Sequence, residues 1–552
     1  MDLPDGRREF DASSLDPVIE KYLQEPQPRL FEPLTVIVTL IVSGLGSIIG
    51  LELIVRLGIT ANTSIIGALI AVLVSIIPAR TFSGFKNIYR QNLIQTSISA
   101  ATFGAGNALL LAMGTIWLMG YKESLMPMLF GAAFGMLVDI TMMYWMFDTP
   151  AFPADEAWPP GIATSETILA AAEGGKRALL LIIGGIVGAV GQAFKIPMDV
   201  VGVAWIGNEW TLTMFGIGLL IRGYSKLLFG IDINALYIPH GIMIGAGIVA
   251  LAQIMLIIRG KRLTQKVKEK AGYVTTRTPA HMLKSLKNGF ILYLIGGLIL
   301  AFVGGILSDM SLPMLIWWIV FAAISALVSE LMVGISAMHA GWFPGFATAL
   351  IFLVLGMLMG FPPLALGLLV GYTACTGPAF ADMGYDLKTG WLLRGEARDV
   401  NIELFGRRQQ YFAELMGGLV AIVVVIFSYT SYFSQDLFPP VDRVFAATIQ
   451  AGAQPGVLQN LLIWAVVGAV IQFIGGAERQ IGILFATGLL ILNPNAGFGV
   501  LVAIVVRVIL QRKYGNKVQS PMYILAAGFI AGSTLYSFFT STLNLFTKRS
   551  SK

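Results

Sequence analysis

Apolar runs close to the length of a bilayer crossing recur along the whole of this chain, and no other feature narrows its fold as much. They fall at about 34–57, 63–78, 91–119, 126–147, 177–194, 210–228 and 239–258, and again at about 289–308, 312–334, 345–360, 362–377, 411–433, 457–474, 481–492, 497–511 and 521–541. A helix needs about 20 apolar residues to cross a hydrocarbon core, whereas a barrel strand needs about 10 with alternating polarity. The expected fold is therefore all-α, a polytopic membrane protein of about sixteen apolar helical segments. Several are too short to cross untilted and are expected to be re-entrant or half-crossing. With 12% charged and 56% hydrophobic residues, the chain is far from soluble domains, which carry roughly 25% charge.

One stretch is repeated. Pro159-Pro160 is echoed by Pro439-Pro440, and Gly188-Ala189-Val190-x-Gln192 by Gly468-Ala469-Val470-x-Gln472. Repeats precede other readings because they set the architecture. Pro78-Ala79 also matches Pro378-Ala379, which places both loops on one side. The expectation is two duplicated parallel halves, 31–258 and 335–541, related by an axis along the membrane normal. A helix pair at 289–334 is additional, a polar cytoplasmic segment occupies 1–30, and a tail occupies 542–552.

Between Arg259 and Lys287 nine Lys or Arg residues accompany one acid, Glu269. Such a loop faces the cytoplasm under the positive-inside rule, so 259–288 is read as a cytoplasmic linker. Arg80–Arg90 and 386–408 are expected on the same side and the acid-rich 148–173 region outside. The two apparent crossings at 91–119 and 126–147 conflict with that assignment. The expected resolution is that 126–147 pairs with a half-crossing piece at 161–173.

Polar side chains inside such runs are the candidates for function. Asn92, Gln95, Thr96 and Ser99 recur at helical spacing, forming one polar stripe read as a substrate-lining face. Asp139 lies deep in an apolar run, where a carboxylate costs about 2.5–3.5 kcal/mol on insertion scales and so is expected to be buried, paired or protonatable. Tyr144 could add a hydroxyl to the substrate face. Glu330 and His339 could relay protons, histidine being the side chain that titrates near neutrality. Glu166 is expected to line the substrate path, and Glu173 to take part in proton coupling. The blander readings are helix–helix hydrogen bonds for the stripe, a solvated helix for Glu166 and Glu173, and an interfacial ring for Tyr144.

Three stretches carry a family resemblance: QNLIQT from Gln91, WPPGIATSETILAA from Trp158, and Asp386-Leu387-Lys388-Thr389-Gly390 ahead of a QQ-x-x-x-E helix at Gln409 to Glu414. Together they resemble the oligopeptide transporter superfamily over residues 31–541, and the yellow stripe-like branch is the nearer one. The chain departs from that pattern in a longer link, Glu396 to Arg408. The resemblance implies proton-coupled uptake of peptides, modified peptides or metal–chelate complexes across the cell membrane.

Competing classes are an ion channel, whose filter would show a short repeated motif, and an intramembrane enzyme, which needs a converging nucleophile and base. No P-loop, HExxH or GxSxG is present, and the single cysteine, Cys375, excludes an internal disulfide. No enzyme activity and no cofactor are expected. The expected partners are the substrate, protons and lipid but no nucleic acid, with a second copy of the chain left open.

Overall fold

A computed structural model describes residues 16–57, 63–258, 275–341, 345–452 and 456–549. Residues 1–15 of the N-terminal segment, 259–274 of the basic linker and 550–552 of the tail, on which part of the topology expectation rests, lie outside them. The chain is all-helical, with no strand among the described residues. Eleven of the described helices are long and apolar enough to cross a membrane, and four shorter apolar helices accompany them.

A short α1 (Pro17–Leu23) precedes a first series. It comprises α2 (Pro33–Leu57), α3 (Thr63–Ser75), α4 (Ile88–Phe103), which continues through a π-helical turn at Gly104–Leu110 into α5 (Leu111–Leu118), α6 (Leu125–Met146), α7 (Pro159–Glu173), α8 (Gly175–Ala193), α9 (Met198–Ile206), α10 (Glu209–Phe229) and α11 (Ile238–Ile258). Then comes α12 (Pro279–Val303). The second series is α13 (Leu312–Ala340), α14 (Gly345–Leu358), α15 (Pro363–Cys375), α16 (Pro378–Leu393), α17 (Val400–Ser434), α18 (Pro440–Ala451), α19 (Val457–Arg479), α20 (Ile481–Leu490), α21 (Pro494–Tyr514) and α22 (Gln519–Arg549).

Local chemistry sets these boundaries. Proline stands in the first turn of α7, α12, α13, α15, α16, α18 and α21, where its missing N–H costs nothing. The Asn87 side chain accepts from the backbone N–H of Tyr89 and Arg90 and so starts α4.

The two series follow one order of long, short and interrupted helices. Leu125 of α6 stands 275 residues before Val400 of α17, and Glu209 of α10 stands 285 before Pro494 of α21; the other counterparts fall between these values. Both series hold a 31-residue interrupted span, Ile88–Leu118 and Pro363–Leu393. These counterparts are antiparallel, not parallel as expected. Gln95 meets Asp386 and Ser99 meets Asp382, while Ala112 lies against Gly371 and Ile116 against Gly367. The same opposition joins α6 to α17, through Thr141 with Tyr411 and Met136 with Gly418. It also joins α10 to α21, through Gly216 with Val500 and Gly223 with Pro494.

Between the two series stands α12, the one long helix among the described residues without a counterpart. The expected helix pair at 289–334 is thus one extra helix, with α13 in the place of α2. The Pro78–Pro378 match does not hold either: Pro78 is exposed after α3, whereas Pro378 is buried in the middle of a span.

The acid-rich 148–173 region also lies on a different side from the one expected. Thr276 donates its hydroxyl to Asp148 at 2.5 Å, and Arg407 lies 3.6 Å from the same carboxylate. Arg177, at the start of α8, pairs with Asp16 of the N-terminal segment and with Glu166 and Glu173. Region 148–173 therefore shares the face that carries the basic segments. Acids weigh little in the positive-inside rule, and these are matched by arginines. Both 88–118 and 122–146 then cross, and no parity conflict remains.

Close approach holds the outer helices together. An added Cβ at Gly468 of α19 would overlap the Ile242 carbonyl of α11. Gly468→Ala is expected to cost about 1–3 kcal/mol as an overpacked contact, whereas Gly44→Ala, with no atom within 4 Å of its Cβ, should cost little. Thermal unfolding of both variants in detergent checks this, and equal melting would count against it.

Candidate functional site

Two buried carboxylate clusters flank the break between α15 and α16. The first joins four elements. Tyr293 of α12 donates its hydroxyl to Asp139 Oδ1 of α6 at 2.6 Å and stands within hydrogen-bond reach of Glu330 Oε2 of α13. The Gly377 N–H, in the break itself, donates to Asp139 Oδ2. Gly377 has φ 107°, a region disfavoured for residues with a Cβ, and an added Cβ would also press on Val333. The break thus turns a backbone donor toward the acid. A phenol has one proton and here has two carboxylates to bond. Asp139, Tyr293 and Glu330 are all fully buried.

The second cluster lies on the other side of the break, along the seam between α4 and α16. Asp382 and Asp386 stand one helical turn apart on α16 and face α4. Ser99 donates to Asp382 Oδ1 at 2.7 Å and Gln95 to Asp386 Oδ1 at 2.6 Å. Ser64, at the start of α3, donates to Asp386 Oδ1 at 3.0 Å, and Thr63 lies 3.4 Å from Asp382 Oδ1. Glu414 of α17 completes the group, and ligand oxygens of the three acids lie within 4.8 Å of one another. Asn92 donates to Gln95 Oε1, and Gln410 donates to Thr96 and to the Asp386 carbonyl. The stripe expected on α4 is therefore buried, and Gln95 and Ser99 point at two acids.

An ion network underlies this seam on the basic face. Glu403 of α17 lies 2.7 Å from Arg394 and 2.9 Å from Arg407, and all three are buried. Arg394 reaches the second cluster by donating to Gln410 Oε1 at 2.8 Å.

Apart from Glu330, the other candidates stand outside both clusters. Glu330 and His339 are nine residues apart, which at about 3.6 residues per turn puts them on opposite helix faces. Accordingly Glu330 meets Tyr293, while His339 lies 3.7 Å from Glu156, so the expected Glu–His relay is not assembled. Glu166 and Glu173 are ion-paired to Arg177. Tyr144 stacks on Tyr411 at 4.4 Å between ring centroids. A cavity of about 660 Å³ opens between α8, α9 and α21 beside Phe194, Trp205 and Phe498, and none of its lining residues belongs to either cluster.

Sequence reasoning did not single out Asp382, Asp386, Glu414 or Tyr293. Two of the acids could have been found, since Asp386 opens the DLKTG stretch and Glu414 closes QQ-x-x-x-E. Asp382 follows as the residue four before Asp386, on the same helix face. Tyr293 carries no local signal.

The model of a protein family described as OPT oligopeptide transporter protein matches residues 234–544, more than half of the chain. No curated protein matches it.

Proposed function

We propose, since this chain belongs to the OPT oligopeptide transporter family, that it is a secondary transporter that moves protons together with a small peptide, a modified peptide or a metal–chelate complex. The observation that carries the proton coupling is the Asp139–Tyr293–Glu330 set. One hydroxyl proton cannot bond two carboxylates at once, so a further proton shared by Asp139 and Glu330 completes the set, and its loss leaves buried negative charge that must find water or a partner. Ionisable groups inside a membrane typically mark such relays.

The architecture supports the same reading. Residues 33–258 and 312–549 act as inverted halves whose interrupted helices run antiparallel along each other, the arrangement in which secondary transporters hold substrate between repeats and open it alternately to each side. Asn92, Gln95, Thr96 and Ser99 are then the face that substrate meets when the α4–α16 seam opens. The yellow stripe-like resemblance favours a chelated metal over a free peptide.

Purified protein in vesicles should acidify the lumen on adding the right substrate outside, in the absence of any pre-set gradient. A panel of di- to tetrapeptides and chelated transition metals identifies the substrate. Substrate uptake with no movement of protons would overturn proton coupling.

A further inference from the structure

In the closed seam the second cluster has the construction of a metal site. We propose that Asp382, Asp386 and Glu414 bind a hard divalent cation of the Ca²⁺, Mg²⁺ or Mn²⁺ class, held between α16 and α17. The inference shares its location with the transporter reading but does not depend on what is transported.

The first observation is how the acids are held. The Oδ1 of each aspartate is occupied, that of Asp382 by Ser99 with Thr63 and that of Asp386 by Gln95 with Ser64. The Oδ2 of each is buried and has no hydrogen-bond partner. Donors on one oxygen fix a carboxylate's orientation and leave the other to ligate, which is the role that residues just outside the ligands play in metal sites.

The second observation is Glu414. It comes from a different helix and is fully buried, and neither of its carboxyl oxygens has a hydrogen-bond partner other than the neighbouring Asp386 acid. A buried carboxylate without a hydrogen bond or counter-charge costs several kcal/mol. The nearby basic residues are engaged elsewhere, Lys388 with the Ala154 carbonyl, Arg394 with Glu403 and Gln410, Arg407 with Glu403, and Arg408 over the Phe412 ring. Four oxygens without a partner outside the three convergent acids call for a cation.

Chemistry narrows the kind. Every available ligand atom is oxygen, which selects hard cations over Zn²⁺ or Cu⁺, whose preferred ligands are nitrogen and sulfur. A divalent ion leaves one net negative charge on three carboxylates and a monovalent ion leaves two, so the low-dielectric interior favours the divalent ion.

Mn²⁺ is the probe, because its free aqueous form has an EPR signal that falls on binding. Full-length protein in detergent should bind Mn²⁺ saturably, release it to excess Ca²⁺, and melt at a higher temperature with either ion. Glu414→Gln and Asp386→Asn should abolish saturable binding. Ser99→Ala, which removes the hydroxyl that orients Asp382 and bonds Thr63 and Ser64, should weaken it about 10-fold or more. Gly44→Ala, outside both clusters, should bind as the wild type does, and a Glu414→Gln variant that elutes as the wild type does in detergent guards against loss through general unfolding. Stabilisation by Na⁺ but not by divalent ions, or undiminished Mn²⁺ binding by Glu414→Gln, would overturn the proposal. So would wild-type protein that binds no Mn²⁺ saturably, since Asp386 and Glu414 are close enough to be held together by a shared proton instead. These readings need no gradient and no substrate, so failure of proton coupling leaves them intact.

Discussion

Asp139→Asn is expected to abolish proton-driven substrate accumulation while leaving substrate exchange across the same vesicles close to normal. The side chain keeps its shape and can flip its amide, so that the oxygen accepts from Gly377 and the NH₂ donates to the Tyr293 oxygen; Tyr293 then gives its own proton to Glu330. The hydrogen bonds of position 139 with Gly377 and Tyr293 are kept, and the cost to folding should stay within the roughly 1–3 kcal/mol of an imperfectly satisfied buried group. What is lost is the acid that can take up and release a proton. Uptake under an inward pH gradient should therefore fall to the level measured with no gradient. Glu330→Gln should behave similarly. An Asp139→Asn variant that still concentrates substrate against its gradient would move the coupling site elsewhere, first of all to the α4–α16 seam.

Glu403→Ala should be the most damaging single change to stability. Arg394 and Arg407 both lie against this one carboxylate, and all three side chains are buried. Without Glu403, two buried guanidinium groups lose their common counter-charge, while Arg407 keeps Asp148 at 3.6 Å. Removing one partner of a buried ion pair costs about 3–5 kcal/mol, because the other charge is left uncompensated. Expression and thermal unfolding in detergent measure the effect. The Glu403→Ala, Arg407→Ala double variant should melt above the level expected from adding the two single losses, since the second change removes a charge that the first has stranded. A single-variant loss under about 1 kcal/mol would mean that water reaches the network.

Hydropathy made the helical membrane fold legible, because a bilayer admits few other solutions and demands long apolar runs. Polar residues within those runs made Asp139, Glu330, Gln95 and Ser99 legible as buried groups for the same reason. What local sequence did not convey was which partners they would meet. Tyr293 is one tyrosine among 16 in the sequence, and only the packing of α12 against α6 and α13 brings its hydroxyl between two acids. Direction was misread through parity. The repeated Pro-Pro and Gly-Ala-Val elements match whichever way up the second copy lies, and orientation depends on whether the residues between them cross an odd or an even number of times. The long helix 279–303 adds to that count, and a pairing of 289–308 with 312–334 conceals it. Glu166 and Glu173 were exposed to a further ambiguity: an acid on a short helix reads alike whether it faces a pathway or an arginine such as Arg177.

Two equal halves set head to tail would rest as comfortably open to one side of the membrane as to the other, since exchanging their shapes converts one state into the other. The unmatched α12 removes that equivalence, and it is also the helix that places Tyr293 between Asp139 and Glu330. The proposed proton site thus sits on the element that makes the two halves unequal. Under the proposed coupling, a proton arriving there acts on the preference between facing in and facing out, while the proton and substrate gradients set the direction of net transport.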